Sequence, residues 1–397
     1  MTAGDWGLLQ PTTAGTRDAA GDDQVLAAMV RVEAALLRAW AAVDDEGDGG
    51  AARLLDSVAA DPTALDRDAL VAGVARDGVA VVALVGLLRQ RLDRAGLPAA
   101  RLHAGATSQD VLDTALMQVA RATFAQVRVR LVAAGTALAV LADAERDSPR
   151  VGHTLGRNAA PTTLGVQIAG WLDGISSAVA AVDGTRFPVQ LGGAVGTGEQ
   201  ADRAAGRPGT IEALRATLAA ELGLDDPGRS WHTERTPVLA VATAASTVTA
   251  ALGRVGRDLV MGSREGVDEL GLAGGGASSA MPHKRNPVGP VAMSAAALQA
   301  PGLLSTVARA AVSVDERPAG EWHAEWSALR DLLRLAGGSA DAAARTVSGL
   351  TVHRDAAARN LRSADVGPAD AVTLAACRRV ADAAIARFQH TLGGERP

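Results

Sequence analysis

The chain has 397 residues, 48% of them hydrophobic, and carries 39 Lys and Arg against 44 Asp and Glu for a formal net charge of −5. So much apolar content at so little net charge excludes a disordered chain, and the mildly acidic balance gives no global attraction to nucleic acid or anionic lipid. One cysteine, Cys377, excludes an internal disulfide framework and any multi-cysteine metal site.

The opening, MTAGDWGLLQPTTAG, lacks the basic-then-apolar layout of a signal peptide, so the expectation is a soluble cytoplasmic protein with no membrane or nucleic-acid partner. In chain order, the acidic run from Asp44 to Gly50 mimics the start of a calcium loop. Leu55 stands where the closing Glu belongs, however, and the run reads as a polar loop after a first helix. The proline-free gaps Pro98–Pro149, Pro161–Pro188, Pro237–Pro282 and Pro318–Pro368 are filled with helix formers, with apolar residues at three- and four-residue steps. From Asp110 onward, Leu112, Leu116, Val119, Phe124, Val127 and Leu131 fall near one helical face.

Two stretches, between Arg235 and Arg254 and between Arg285 and Arg309, carry no charge at all. They approach the length of a membrane span. Their Thr, Ser, Gly and internal Pro, and the lack of flanking aromatic belts, favour the middle of a helical bundle shared between subunits. The predicted fold class is all-α with little sheet. A small N-terminal helical domain (1–105) precedes a long central bundle (106–349) and a short C-terminal helical region (350–397).

Lys284 is the only lysine, and Asn158, Asn286 and Asn360 are the only asparagines. The composition reads as one in which Arg has replaced Lys wherever a generic positive charge suffices. That the sole lysine lies two residues from Asn286, in MPHKRNP, marks that segment as one whose chemistry resists replacement. Before it come three glycines, Gly274 to Gly276, which can adopt positive φ, and then Ser278 and Ser279. A loop bringing hydroxyls beside a fixed cation suits an anionic substrate that must be enclosed.

This segment resembles the signature of the fumarase/aspartase superfamily, close to GSSxMPxKxNP. Two further regions resemble the same superfamily in order: HAGATSQDVLDTA from His103 and GHTLGRNAAPTTLG from Gly152. Within it, GATSQDVLDTA, LGGAVGT (from Leu191), WHTERT (from Trp231) and GEWHAEW (from Gly320) are most similar to bacterial 3-carboxy-cis,cis-muconate cycloisomerases. The resemblance implies a three-region helical fold, a homotetramer with a shared core, active sites assembled from three subunits, and a small polycarboxylate substrate handled without a cofactor. It implies Ser278 as the general base and Ser279, Lys284 and Asn286 as substrate-binding residues. Thr107 and Ser108 would bind a substrate carboxylate. His103 opens their region and is read as positioning Thr107 or the substrate, with capping or packing as the alternative. Arg235, favoured over His232 as the anion contact in a substrate-facing turn, completes the set. No His pair has metal-ligand spacing beside a carboxylate, so no metal is expected.

The second region departs from the family. Where related lyases carry an acid histidine, this chain has Leu155, Arg157 and Asn158, and His153 stands at a position usually held by Arg. An amine leaving group needs protonation as it departs, whereas a carboxylate or nitrite is already a stable anion. The departure therefore argues against amine release. It leaves lactonisation of 3-carboxy-cis,cis-muconate as the leading expectation and a fumarate-forming lyase expelling an anion such as nitrite as the alternative. Arg157 and Asn158 are then candidates for holding substrate oxygens. A scaffold that has lost catalysis is the third reading, supported by the missing histidine and short tail and opposed by the intact serine loop.

Overall fold

The computed structural model describes residues 7–15, 17–44 and 49–393. The N-terminal region holds α1 (Asp22–Asp44), α2 (Gly50–Ala60), α3 (Arg67–Asp77) and α4 (Ala80–Arg94). Of the acidic run, residues 45–48 lie outside the described residues, while Leu55 is fully buried on α2. Next comes α5 (Ser108–Ala144), 37 residues long, begun by a reciprocal capping box between Thr107 and Asp110. Its expected apolar face, Leu112 through Leu131, is buried throughout.

A hairpin of β1 (Pro149–Thr154) and β2 (Arg157–Thr163) leads into α6 (Leu164–Asp183), followed by the short α7 (Glu199–Ala205) and α8 (Thr210–Leu222). The first charge-free stretch falls in α9 (Thr236–Gly262). After β3 (Leu270–Leu272), β4 (Gly276–Ala277) and β5 (Arg285–Asn286), the second falls in α10 (Val288–Ala310). The 28-residue α11 (Glu321–Ser348), β6 (Leu350–Val352), α12 (Arg354–Arg362) and α13 (Ala371–Gly393) complete the chain.

The long helices α5, α6, α9, α10 and α11 pack side by side, and α13 folds back on α5 and α6. By length and composition alone, α5, α6, α9 and α10 could each cross a membrane. In the fold α9 lies against α10, α11 and α6, and small residues let these backbones approach: a Cβ on Gly253 or Gly256 would collide with Ala297 or with Pro290 O of α10. One face of α10 is left uncovered, with Val288, Val291 and Leu298 more than half exposed.

The all-α expectation holds, with sheet among the described residues confined to three two-stranded antiparallel ladders. These were missed by periodicity because the hairpins are built from turn residues and short runs rather than alternating apolar strands.

The bundle has two chemically different ends, which α11 spans. At its start, Trp322 Nε1 donates to Asp113 Oδ1 of α5 at 2.9 Å. At its finish, the Gly349 carbonyl accepts from Ala273 N at 3.1 Å, at the head of the serine loop. At 1.5 Å per residue the helix separates these contacts by about 40 Å.

Candidate active site

The first of the three family regions lies at the α5 start. Thr107 is the N-cap and Ser108 the first helical residue, both half-buried. Asp110 organises this end. One carboxylate oxygen accepts from Thr107 N (2.9 Å) and Gly193 N (2.9 Å), the other from Gly192 N (3.0 Å) and faces His232 Nε2 at 2.7 Å. The glycines of LGGAVGT thus serve to bring two amides onto a buried carboxylate, and Gly193 does so with φ at +71°.

His232 is therefore part of the support for α5, not a group on a substrate-facing turn. Its Nδ1 is buried without a hydrogen bond.

Arg235 overturns its expected role as anion contact. Its side chain is 1% exposed and lies between Asp113 (2.6 Å from Nη1) and Glu325, with which Nη2 pairs. Two carboxylates from α5 and α11 already saturate the guanidinium, so no substrate oxygen can reach it. Burial opposes the charge on Arg235, but Asp113 and Glu325 hold its pKa above the ordinary arginine value. Burial, reinforced by Asp113 and opposed by Arg235, pushes Glu325 up to about 7. The group ties α5, α9 and α11 together.

His103 precedes the cap, in a left-handed conformation (φ 61°), and its Nδ1 lies 2.7 Å from Glu33 Oε1 of α1. Burial works against an imidazolium there, yet the Glu33 carboxylate keeps the pKa above the usual histidine value. Glu33 is fully buried, and its second oxygen has no hydrogen-bond partner. Sequence reasoning found His103 but had no means of finding Glu33, seventy positions away. Arg317 was also missed: it reaches Thr107 Oγ1 and Gln109 Oε1, both at 3.1 Å, from the connection between α10 and α11.

The third region lies at the opposite end of the bundle. β4 and β5 pair Gly276 with Asn286 and Ala277 with Arg285, so Ser278 and Lys284 are the residues just beyond the last pair. The Ser278 hydroxyl oxygen accepts from Met281 N (3.1 Å) and Ala280 N (3.4 Å). Amide donors on that oxygen favour its alkoxide, the form a serine base requires. Lys284 and Ser279 are exposed and Asn286 half-buried, and none of their side chains pairs with another described residue. The triple glycine has two local causes: Gly274 adopts φ +78°, and a Cβ on Gly276 would stand 2.4 Å from Val288 Cγ2.

The second region is at this end too. Arg150 of β1 pairs with Glu269 at 3.0 Å, just before β3. The hairpin turns through Leu155 (φ 49°) and Gly156 (φ 74°), a two-residue turn with both φ values positive. Its register pairs His153 with Asn158 and Thr154 with Arg157. Paired residues share a face and successive residues alternate, so Arg157 and Asn158 point to opposite sides. Asn158 Nδ2 reaches Ala364 O at 3.5 Å, turning the His153–Asn158 side toward its own chain. Arg157, exposed and without a partner among the described residues, occupies the other side. The structure therefore separates two residues that the sequence reading had placed together on the substrate.

The family model described as Lyase matches residues 15–302. The chain belongs to this lyase family, within the fumarase/aspartase superfamily. It is 40% identical over 367 residues to a nitrosuccinate lyase of Streptomyces davaonensis, covering 90% of this chain and 77% of that one. It is 37% identical over 324 residues to a 3-carboxy-cis,cis-muconate cycloisomerase of Pseudomonas aeruginosa, covering 79% and 68%. The crystal structure of 3-carboxy-cis,cis-muconate lactonizing enzyme from Pseudomonas putida superposes with a TM-score of 0.79 at 30% identity, covering 96% of this chain and 86% of that one. The protein is thus an all-α enzyme of a family whose members include lyases and cycloisomerases.

Proposed function

We propose that the enzyme catalyses a fumarate-forming elimination from a substituted succinate whose leaving group departs as an anion, nitrosuccinate giving fumarate and nitrite being the specific case. The observation that carries the reading is the hairpin: one side presents the exposed Arg157 cation, while Asn158, on the other side, reaches Ala364 O of its own chain. A cation stabilises a departing anion and cannot protonate a departing amine, so Arg157 suits the release of an anion. The 40% identity to a nitrosuccinate lyase over most of the chain supports the same choice.

In this reaction the Ser278 alkoxide removes the proton from the carbon next to one carboxylate. The electron pair moves into that carboxylate as a dianionic aci form, held by Lys284. Collapse of the dianion forms the carbon–carbon double bond and breaks the carbon–nitrogen bond, and nitrite leaves with the bonding pair.

Thr107 and Ser108 stand about 40 Å from the serine loop of the same chain. Five residues of extended chain from Ala273 to Ser278 span at most about 18 Å. The complete site therefore needs a second copy of the chain, as in the expected homotetramer, and the uncovered apolar face of α10 offers surface for such an assembly.

Reversible lactonisation of 3-carboxy-cis,cis-muconate is the second reading. It is favoured by the likeness to the cycloisomerases, and it uses the same base with an internal carboxylate in place of nitrite. Purified enzyme is to be assayed side by side with nitrosuccinate, for nitrite and fumarate, and with carboxymuconate, for lactone. Nitrite release supports the first reading, lactone without nitrite replaces it with the second, and turnover of neither rejects both.

A further inference from the structure

The segment GEWHAEW at the start of α11 has two faces. Trp322 and Glu325 are buried and join the Asp113–Arg235 group. His323, Trp326 and Arg330, at i, i+3 and i+7, form a different stripe of the same helix. That stripe walls a cavity of about 540 Å³, which is lined on its buried side by Met29 of α1 and by Leu112 and Leu116 of α5, and at its exposed edge by Val74 of α3. The volume is within the range of small-molecule sites, roughly 300–1,000 Å³. Leu112 and Leu116 lie about 8 and 14 Å along α5 from Thr107, so the cavity flanks the helix, away from the start that carries Thr107 and Ser108.

The wall is aromatic. The His323 and Trp326 ring centroids are 4.6 Å apart with the planes at 44°, and Trp326 stands edge-on to Trp322 at 4.7 Å and 88°. Trp322 is anchored through its Nε1 to Asp113, so the rings stacked on it have a fixed base. His323 is exposed and Trp326 only partly buried, which leaves flat ring surface that another flat ring covers well. The mouth is charged but loosely paired. Arg330 meets only Asp22, whose side chain is 90% exposed, and a pair so open to water contributes little. Asp23 beside it is taken by Arg67 at 2.8 Å. Trp326 Nε1 and Arg330 Nε are buried with no hydrogen-bond partner among the described residues. Both are donors, so the complement this wall lacks is an acceptor.

We infer that this cavity is a second ligand site, separate from the catalytic one, and that it takes a flat aromatic carboxylate. The ring lies against His323 and Trp326 over the apolar inner wall of Met29, Leu112 and Leu116, and the carboxylate meets the Arg330 guanidinium at the mouth. The site goes beyond the proposed function and does not depend on which reaction the serine loop performs.

The test is calorimetric titration of 2-naphthoate into the intact assemblies of wild type, Val74→Trp and Arg330→Gln, with 2-naphthamide as the uncharged counterpart. Val74 is at the exposed edge, so an indole there fills the cavity without entering the core. Expected is saturable binding of 2-naphthoate by wild type, with affinity about tenfold weaker in Val74→Trp and melting temperature unchanged. Arg330→Gln should weaken 2-naphthoate to the level of 2-naphthamide, and it carries the comparison should Val74→Trp not assemble. No saturable binding by wild type overturns the inference. Wild-type affinity in Val74→Trp also overturns it, because the ligand then sits elsewhere, the catalytic site included. Equal affinity for 2-naphthoate and 2-naphthamide overturns the assignment of a carboxylate ligand.

Discussion

Ser278 and Lys284 stand opposite one another across the mouth of a loop, one step beyond the Ala277–Arg285 pair that closes β4 on β5. Six positions apart in sequence, the two residues flank the same loop mouth because the two-residue ladder folds the segment back on itself. This register brings the two residues of the signature to the same end of the ladder.

Ser278→Ala is expected to lower kcat by about 10²–10⁴-fold, the usual range for losing a positioned base, with the melting temperature unchanged. The side chain bonds only amides of its own loop, so little packing depends on it. Steady-state kinetics with a thermal melt checks both halves.

Lys284→Arg retains the charge but replaces a compact ammonium with a planar fork on a longer stem. Activity is expected to fall at least tenfold, about 1.4 kcal/mol, without loss of stability, since Lys284 is exposed. Wild-type activity in this variant would contradict the reading of the sole lysine.

Arg235→Met leaves Asp113 and Glu325 buried beside each other with no cation between them. Breaking a buried pair this way costs about 3–5 kcal/mol, so denaturant unfolding should show a large loss of stability rather than a selective loss of substrate affinity.

The same group makes a pH prediction. Glu325 has a folded-state pKa of about 7, above its unfolded value of 4.5, so the folded protein binds its proton more readily than the unfolded chain. Its contribution is complete below the unfolded value and is lost as pH rises to about 7. Glu325→Gln should therefore flatten the fall in stability over that window, measured as unfolding free energy against pH.

The His103 imidazole is likewise held above its ordinary value by Glu33, so its stabilisation is complete below the unfolded histidine pKa and is lost as pH rises through the raised one. Glu33→Gln should lower the imidazole pKa, read from the ring proton shifts in an NMR titration.

Much of the architecture was legible from the chain itself. Proline spacing located the long helices, and the two charge-free stretches became α9 and α10 because a helix apolar on all sides belongs among other helices. The serine loop was legible because its chemistry is local in sequence. What escaped was set by partners far away: Arg235 is neutralised by residues 122 and 90 positions distant, and Arg317 reaches Thr107 across 210. A sequence shows that a guanidinium is present, but not whether a carboxylate has already claimed it. Arg157 and Asn158 were read as companions for a similar reason, since adjacent residues share a side only if the segment is not a strand, and here it is one.

The central claim is that no single chain holds a complete site, and subunit complementation tests it most directly. Ser278→Ala and Thr107→Ala, each inactive alone, are to be co-assembled and the purified mixed assemblies assayed. Recovered activity, from sites that draw a wild-type Ser278 from one chain and a wild-type Thr107 from another, is the predicted result. Mixed assemblies as inactive as either parent would contradict it.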